Sequence, residues 1–533
     1  MNQAISPRDL GLPYLDWHPF QLQTILKAVS AFSSGKRYVL IEGPPGTGKT
    51  GTAIAIARLM EYETAYLTST KDLQRQYEQT SKSPRVIGRP NFRCLIKPEV
   101  SASDGQCVSG EKCQYAGLNG RGGCAFFDQL RNGMASPEVS LNYAMALRSM
   151  NYPKYFIDRD LLVCDEAHLL KSELESFISL EVSYSTLQKF GLLPRGAEGF
   201  SVAEWVWWAA EAGLPEVATL IRGYREEIAQ ADQEDQWVIQ DPKKLSSLTG
   251  IQRTLKELVA KAETGGWVLQ KTGGQGRGSA GGSAGGVEFL PVWVTPHVQS
   301  ALLRHAEKFL FLSATIGDPA TFCELFSLDP KDVYVIRCPS IFDVVRRPIY
   351  YTPVVRVSGA DVEESAKKLA PVLDALIEGY QSKGLIHTVS YRLARAVERR
   401  LSVKSRARLL LPQANRREQA LEEFRQSEEP LVLMSPSMTT GVDLPFDLCR
   451  WQAILKLPFA DQTSPVVKEQ MKSALGKRLQ MQATAQTLCQ AYGRIMRDEA
   501  DWGVTHLLDS NWQWFRFAAK QYLAPWFTEA IVR

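Results

Sequence analysis

The sequence predicts an α/β protein built on two parallel sheets, and three observations carry that reading. Short, almost continuously apolar runs such as Arg37–Glu42 (RYVLIE), Glu63–Thr68 (ETAYLT) and Leu161–Cys164 (LLVC) alternate with helical segments in the first 175 residues. Strands of this kind are buried on both faces by helices. The same alternation returns after about residue 346, giving a second block. At 533 residues and 44% apolar composition, the chain is too long for one ordinary domain and apolar enough for each of several to bury a core.

The formal net charge is only +4. The whole-molecule charge therefore does not announce a polyanion partner, although a local basic groove remains compatible with it. The N-terminus MNQAISPRDL lacks the basic-then-apolar pattern of a secretory leader, and no apolar run reaches membrane-spanning length. A soluble, cytoplasmic protein without a membrane partner is expected.

The first strand runs into Gly43-Pro-Pro-Gly46-Thr47-Gly48-Lys49-Thr50, and the helical run GTAIAIARLM follows. Strand, glycine loop and helix in that order are the context of a phosphate-binding loop. Its glycines let backbone N–H groups turn toward phosphate oxygens, and the helix N-terminus adds its positive end. Lys49 is expected to reach the β and γ phosphates of ATP, and Thr50 to ligate Mg²⁺. Asp165-Glu166-Ala167-His168 ends the strand LLVC, where a carboxylate faces the ligand crevice of a doubly wound sheet. Asp165 would hold Mg²⁺ through water, and Glu166 would orient the attacking water. His168 reads equally as a hydrogen-bonded structural residue.

Between the strands lie segments of other character. Residues 88–131 are rich in Gly, Cys and Arg and hold four of the nine cysteines: Cys94, Cys107, Cys113 and Cys124, with twelve, five and ten residues between them. Structural zinc favours close pairs, which are missing here, and irregular gaps suit a [4Fe–4S] cluster at least as well. Residues 176–262 are helical in pattern, with Trp205, Trp207 and Trp208 expected in a helix–helix core. Gly273–Gly286 is linker by composition, either an engineered join or a natural hairpin tip.

In the second block, Gln490-Ala-Tyr-Gly493-Arg494-Ile-Met-Arg497 places two arginines on one face of a helix. Arginines delivered from another domain would stabilise charge on a transferring phosphoryl group. Gly493 within a helix costs about 1 kcal/mol against alanine, so a close approach there is expected.

GPPGTGKT, DEAH, Ser313-Ala314-Thr315, Gly441-Val442-Asp443-Leu444-Pro445 and QAYGRIMR stand in the order found in superfamily-two helicases. The details resemble the XPD/DinG branch: Asp501-Trp502-Gly503 after the last motif, Asn91-Phe-Arg-Cys94, Cys124–Asp128, and Leu457-Pro458-Phe459. The resemblance covers about residues 17–512. It implies two RecA-like motor domains, the first spanning 1–87, 132–175 and 288–345 and the second 346–533. It also implies an iron–sulfur insertion at 88–131 and a helical arch at 176–287.

The resemblance further implies that Gln21 reads adenine and that Asp443 and Gln490 sense nucleotide across the cleft. Thr70, Ser390, Tyr391 and Thr440 would touch the nucleic-acid backbone, with helix N-capping the alternative for the hydroxyl residues. A [4Fe–4S] cluster is favoured over zinc by the position of the four cysteines. The implied activity is an ATP-dependent DNA helicase, a monomeric motor moving 5′-to-3′ on single-stranded DNA. Forked DNA, R-loops and D-loops are its candidate partners, with RNA–DNA hybrid a further one and nucleoid association expected in a bacterium. The alternative is an ATP-gated nucleic-acid clamp or accessory subunit.

Overall fold

A computed structural model of the protein describes residues 5–532 except 106, 109–112, 231–241, 265, 274–284, 360, 414–415, 437–443 and 496–499. In chain order the first block forms β1 (Tyr38–Glu42), β2 (Thr64–Thr68), β3 (Arg85–Val86), β4 (Glu138–Asn142), β5 (Arg159–Cys164), β6 (Leu180–Ser183), β7 (Trp267–Thr272), β8 (Gly286–Pro291), β9 (Ala306–Ser313) and β10 (Val333–Arg337). Seven of these make one parallel sheet in the order β10-β1-β9-β5-β2-β4-β3. Alternate residues of each strand serve opposite faces. Leu40, Leu67, Leu162 and Phe311 join one core, and Ile41, Tyr66, Val163 and Leu312 the other. This two-sided burial is what the continuous apolar runs foretold.

The second block adds β11 (Ile349–Val355), β12 (Gly384–His387), β13 (Leu409–Leu410), β14 (Val432–Ser435), β15 (Trp451–Ile454) and β16 (Val504–Asp509). They form a parallel sheet ordered β11-β16-β15-β12-β14-β13. The architecture is therefore two RecA-like parallel-sheet domains.

Two stretches of the chain leave the first sheet and return to it. Ala125–Ala135 is a helix that crosses the expected boundary at 131, and its Phe126, Phe127 and Leu130 lie in the core of the first sheet. Among the described residues, Val202–Trp208, Leu214–Gln230 and Pro242–Lys261 are helices, but β6, β8 and β7 add an antiparallel sheet that the helical reading missed. That sheet extends the insertion to Pro291, past the expected 287. Thr272 pairs with Gly286, so β7 and β8 are antiparallel neighbours on either side of the glycine-rich stretch; its residues 274–284 lie outside those described. Trp205 and Trp208 fill the insertion's core, whereas Trp207 is 68% exposed and corrects the expectation for that residue. Among the described residues no helix is long and apolar enough to cross a membrane.

Candidate active site

The phosphate loop leaves β1 at Gly43, whose N–H donates to Ser313 O at 2.9 Å. Gly46 and Gly48 take φ of 80° and 70°, turning the backbone inward before the helix Lys49–Leu59 begins. Lys49 Nζ donates to the carbonyls of Gly43 (3.0 Å) and Pro44 (3.3 Å), so its ammonium sits inside the curl of the loop. Thr50 is buried at the start of the helix, and Thr47 Oγ1 donates to Pro44 O at 2.8 Å. Gln21 is buried behind the loop. Its amide donates to Gly48 O at 2.9 Å and Thr52 Oγ1 at 3.3 Å, and its carbonyl accepts from His18 N at 3.0 Å. Gln21 thus buttresses the loop, and reading a base would require it to release one of these partners.

Asp165 and Glu166 follow β5. Asp165 Oδ2 accepts from Tyr77 Oη at 3.1 Å, Oδ1 accepts from Glu166 N at 2.8 Å, and Tyr143 Oη donates to the Asp165 carbonyl at 2.8 Å. Burial, then the charge of Glu166, raises the Asp165 carboxyl above its usual range. Glu166 is shifted the opposite way. Burial would raise it, but the hydrogen bond and charge of His168, with Lys49 and Arg494, hold it low. Two adjacent carboxyls with opposed shifts divide into different roles. Glu166 also takes left-handed angles, φ 52° and ψ 48°. For a side chain other than glycine this strain costs of order 1–3 kcal/mol and is characteristic of functional turns. His168 Nδ1 lies 3.2 Å from Glu166 Oε2 and 3.0 Å from Ser313 Oγ, linking the acidic turn to the end of β9.

The second domain meets this site through the helix Ala474–Tyr492 and the turn after it. Gln490 Nε2 donates to Thr315 Oγ1 at 3.2 Å. A Cβ added to Gly493 would lie 2.9 Å from Pro45 Cγ in the phosphate loop, the close approach expected for that glycine. The charge of Arg494 acts on Glu166 across the cleft. Arg497 and Asp443 lie outside the described residues.

Several neighbours were not foreseen. Glu42 closes β1 with a buried carboxylate that accepts from Ile316 N (2.8 Å) and Gly317 N (3.0 Å), and burial raises its pKa. The signal in the sequence was a lone acid ending an apolar strand. Tyr77 and Tyr143, fully buried beneath Asp165, gave no such signal because each sits on a separate helix.

The expected backbone-contact residues occupy equivalent places in the two domains. Thr70 caps the helix Lys71–Ser81, accepting from Leu73 N at 3.2 Å, and Ser390 caps Tyr391–Glu398, accepting from Leu393 N at 3.3 Å. Before each cap, a threonine hydroxyl donates to the cap's carbonyl: Thr68 to Thr70 O and Thr388 to Ser390 O, both at 3.2 Å. Tyr391 is half-buried at the head of its helix, and Thr440 lies outside the described residues. Three arginines further along have structural partners. Arg399 and Arg400 pair with Glu363, and Arg408 donates to the carbonyls of Pro430, Tyr380 and Ile377.

Cys94, Cys107, Cys113 and Cys124 line one recess together with Arg89, Leu95, Tyr115 and Phe126. Arg89 Nη1 donates to Cys107 Sγ at 3.0 Å and Lys97 N to Cys94 Sγ at 3.4 Å. Among the described residues no three His, Cys, Asp or Glu side chains stand close enough to form a metal-ion group. Phe126 and Phe127 are each 4% exposed and belong to the core.

Two family models match the chain: a type III restriction enzyme res-subunit domain over residues 14–192 and a helicase C-terminal domain over 373–529. The chain is similar to the ATP-dependent DNA helicase YoaA of Escherichia coli, 23% identical over 232 residues that cover 42% of this chain and 36% of that protein. It is also similar to the ATP-dependent DNA helicase DinG of Photobacterium profundum, 24% identical over 222 residues covering 39% of this chain and 31% of that protein. The matched part is about a third of the length of these relatives. Among solved structures, an XPD helicase aligns over 95% of this chain and 98% of its own, with TM-score 0.63 and 14% identity. An Xpd protein of S. tokodaii aligns over 96% and 99%, with TM-score 0.58 and 15% identity. At such identity these two speak to the fold alone. Sequence relatives and the two family models agree with the order of the motifs, the solved structures agree in fold, and together they support an XPD/DinG-like superfamily-two helicase.

Proposed function

We propose that the protein hydrolyses ATP between its two RecA-like domains and uses the resulting domain movement to translocate on single-stranded DNA and separate duplex. The observation that carries this reading is the approach of the second domain to the phosphate loop, Gly493 against Pro45, with the charge of Arg494 acting on Glu166. A phosphate loop alone serves many nucleotide enzymes, whereas a cation brought to it from a second domain makes turnover depend on closure. Lys49 and the loop amides would bind the phosphates, and Thr50 and Asp165 would hold Mg²⁺, which neutralises charge on the β and γ phosphates. Glu166 would orient the attacking water, with His168 fixing its carboxylate. Arg494, joined by Arg497, would respond to the γ-phosphate and open the cleft once it leaves.

Thr70 and Ser390 accept from their own helices, and each hydroxyl proton can still be donated to a DNA phosphate. Their equivalent positions in the two domains suit a strand gripped twice. The names of the relatives support DNA as the track, and family membership supports 5′-to-3′ movement on forked or R-loop substrates by a monomer.

Our reading of the four-cysteine recess is a cluster in preference to a single zinc ion. It is supported by four thiols that share one recess, two of which accept from N–H donors. A [4Fe–4S] cluster bound by Cys94, Cys107, Cys113 and Cys124 would supply folding energy to a segment too short for its own core. Anaerobically purified protein should show iron–sulfur absorbance in the visible; colourless protein with stoichiometric zinc would overturn this assignment.

Strand displacement by wild type and Glu166→Gln tests the central reading. Unwinding should collapse in the variant while ATP-dependent DNA binding survives. Wild type that binds DNA with ATP yet never displaces a strand would instead be a clamp or accessory subunit.

A further inference from the structure

The loop after β9, Ala314–Asp318, is held from both domains at once. On the side of the first domain, Glu42 accepts from the Ile316 and Gly317 N–H groups, Ser313 Oγ accepts from Thr315 N at 3.0 Å, and Arg337 donates to Gly317 O at 3.3 Å. On the side of the second domain, Trp526 Nε1 donates to Ala314 O at 3.3 Å. Gln486 Nε2 donates to both Thr315 O (3.0 Å) and Ile316 O (3.1 Å). Gln482 Oε1 accepts from Asp318 N at 3.1 Å.

Gln482, Gln486 and Gln490 are spaced by four residues, so they stand on one face of a single helix. Gly317 admits that face: a Cβ there would lie 2.8 Å from Gln482 Cδ. The same helix ends at Tyr492, and Gly493 and Arg494 follow directly. Because the loop begins at Ser313, which meets His168, its position also bears on the acidic turn. A rigid helix clasped to this loop fixes where its C-terminal end delivers Arg494.

We propose that Gln482 and Gln486 are positioning residues for ATP turnover, clasping the 314–318 loop so that the Gly493–Arg494 turn is held against the phosphate loop. The two make opposite chemical demands: position 486 must donate to two carbonyls, and position 482 must accept from one N–H. The assignment rests on the ATPase reading above and concerns residues that the motifs left without a role. A lost clasp lets the helix end move by a fraction of an ångström to an ångström, enough to lower turnover steeply without touching the phosphate loop.

The test uses the full chain and measures steady-state ATP hydrolysis with single-stranded DNA present, together with melting. Gln486→Met keeps the shape and removes the donors, and Gln482→Met removes the acceptor. Each should lower kcat about tenfold or more while KM for ATP stays within about threefold and the melting temperature falls by no more than about 4 °C. Gln486→Lys restores a donor that can reach both carbonyls and should recover most of the turnover, whereas Gln486→Glu, an acceptor facing two carbonyls, should not. Wild-type kcat in both methionine variants overturns the proposal, as does failure of lysine to outperform glutamate at 486. Should a methionine variant fail to fold, the lysine–glutamate comparison decides alone. A wild-type protein without ATP turnover would instead sink the underlying ATPase reading, so the two failures are distinguishable.

Discussion

Gly493 of the second domain lies so close to Pro45 of the phosphate loop that a methyl group on it would stand 2.9 Å from the proline Cγ. Gly493 has φ −72° and ψ 7°, angles any residue can adopt. Its requirement for glycine is therefore one of space between domains and not of backbone conformation.

Gly493→Ala should consequently leave melting nearly unchanged and reduce ATP turnover by about tenfold to a hundredfold, because it holds the cleft ajar. Pro45→Ala removes the atom that would be struck. The double variant should recover much of the loss, and a cycle of the four proteins measures the coupling. Additive losses would mean that the contact does not limit closure.

Phe126 supports a prediction of the opposite kind. It is 4% exposed, packs edge-on against Phe127 with centroids 5.2 Å apart, and lies under the Arg89 guanidinium at 4.6 Å from its ring centroid. Phe126→Leu should cost about 1–2 kcal/mol in denaturant unfolding, the usual range for reshaping a packed core site. Affinity for single-stranded DNA should be unchanged. A loss of DNA binding without loss of stability would make Phe126 a stacking platform instead.

That contrast shows what the sequence could convey. The phosphate loop, the acidic turn and the two parallel sheets were legible because their signals are local: apolar strands, a glycine loop between strand and helix, two acids after a strand. The close approach at Gly493 was expected from the cost of glycine inside a helix, but the helix ends at Tyr492 and Gly493 caps it, so neither Gly493 nor Arg494 lies within a helix. Glu42, Gln482 and Gln486 were not, since their partners lie on the 314–318 loop and only the tertiary structure brings them there. The antiparallel sheet of the insertion escaped notice because β7 and β8 flank a glycine-rich run that draws the eye to the linker. Thr70 and Ser390 fit two descriptions at once, as helix caps by structure and as phosphate donors by chemistry.

The acidic turn makes a prediction in pH. Burial and the neighbouring Glu166 charge raise the Asp165 carboxyl, while Tyr77 donates to it and partly offsets the rise. Holding Mg²⁺ requires the carboxylate, so Mg²⁺-dependent nucleotide binding should be lost as pH falls through the raised value. Its contribution to stability has the reverse sign, being present below the unfolded pKa and lost as pH rises through the folded one. Glu166→Gln removes the like charge and should move the midpoint of Mg²⁺-dependent binding of a fluorescent ATP analogue to lower pH. Tyr77→Phe removes the donor and should move it to higher pH. Shifts in the same direction would show that another group controls the binding.

Arg347 gives the last prediction, on the tether that holds the C-terminal segment to the catalytic helix. Only 2% exposed, it donates to Phe342 O, Tyr492 Oη, Trp526 O and the Glu529 carboxylate. Tyr492 Oη in turn donates to Arg347 O at 2.7 Å, and Trp526 reaches Ala314 in the interdomain loop. A guanidinium serves four acceptors in different directions because its donors form a rigid planar fork, whereas an ammonium is a compact point charge on a flexible stem. Arg347→Lys therefore retains the charge but leaves buried acceptors unmet, at about 1–3 kcal/mol for each. The variant should lose stability, expose the segment around Trp526 to limited proteolysis before the rest of the chain, and turn ATP over more slowly through the loosened Ala314 contact. Unchanged proteolysis and turnover in the lysine variant would mean that the tether depends on charge alone and that the fork geometry is incidental.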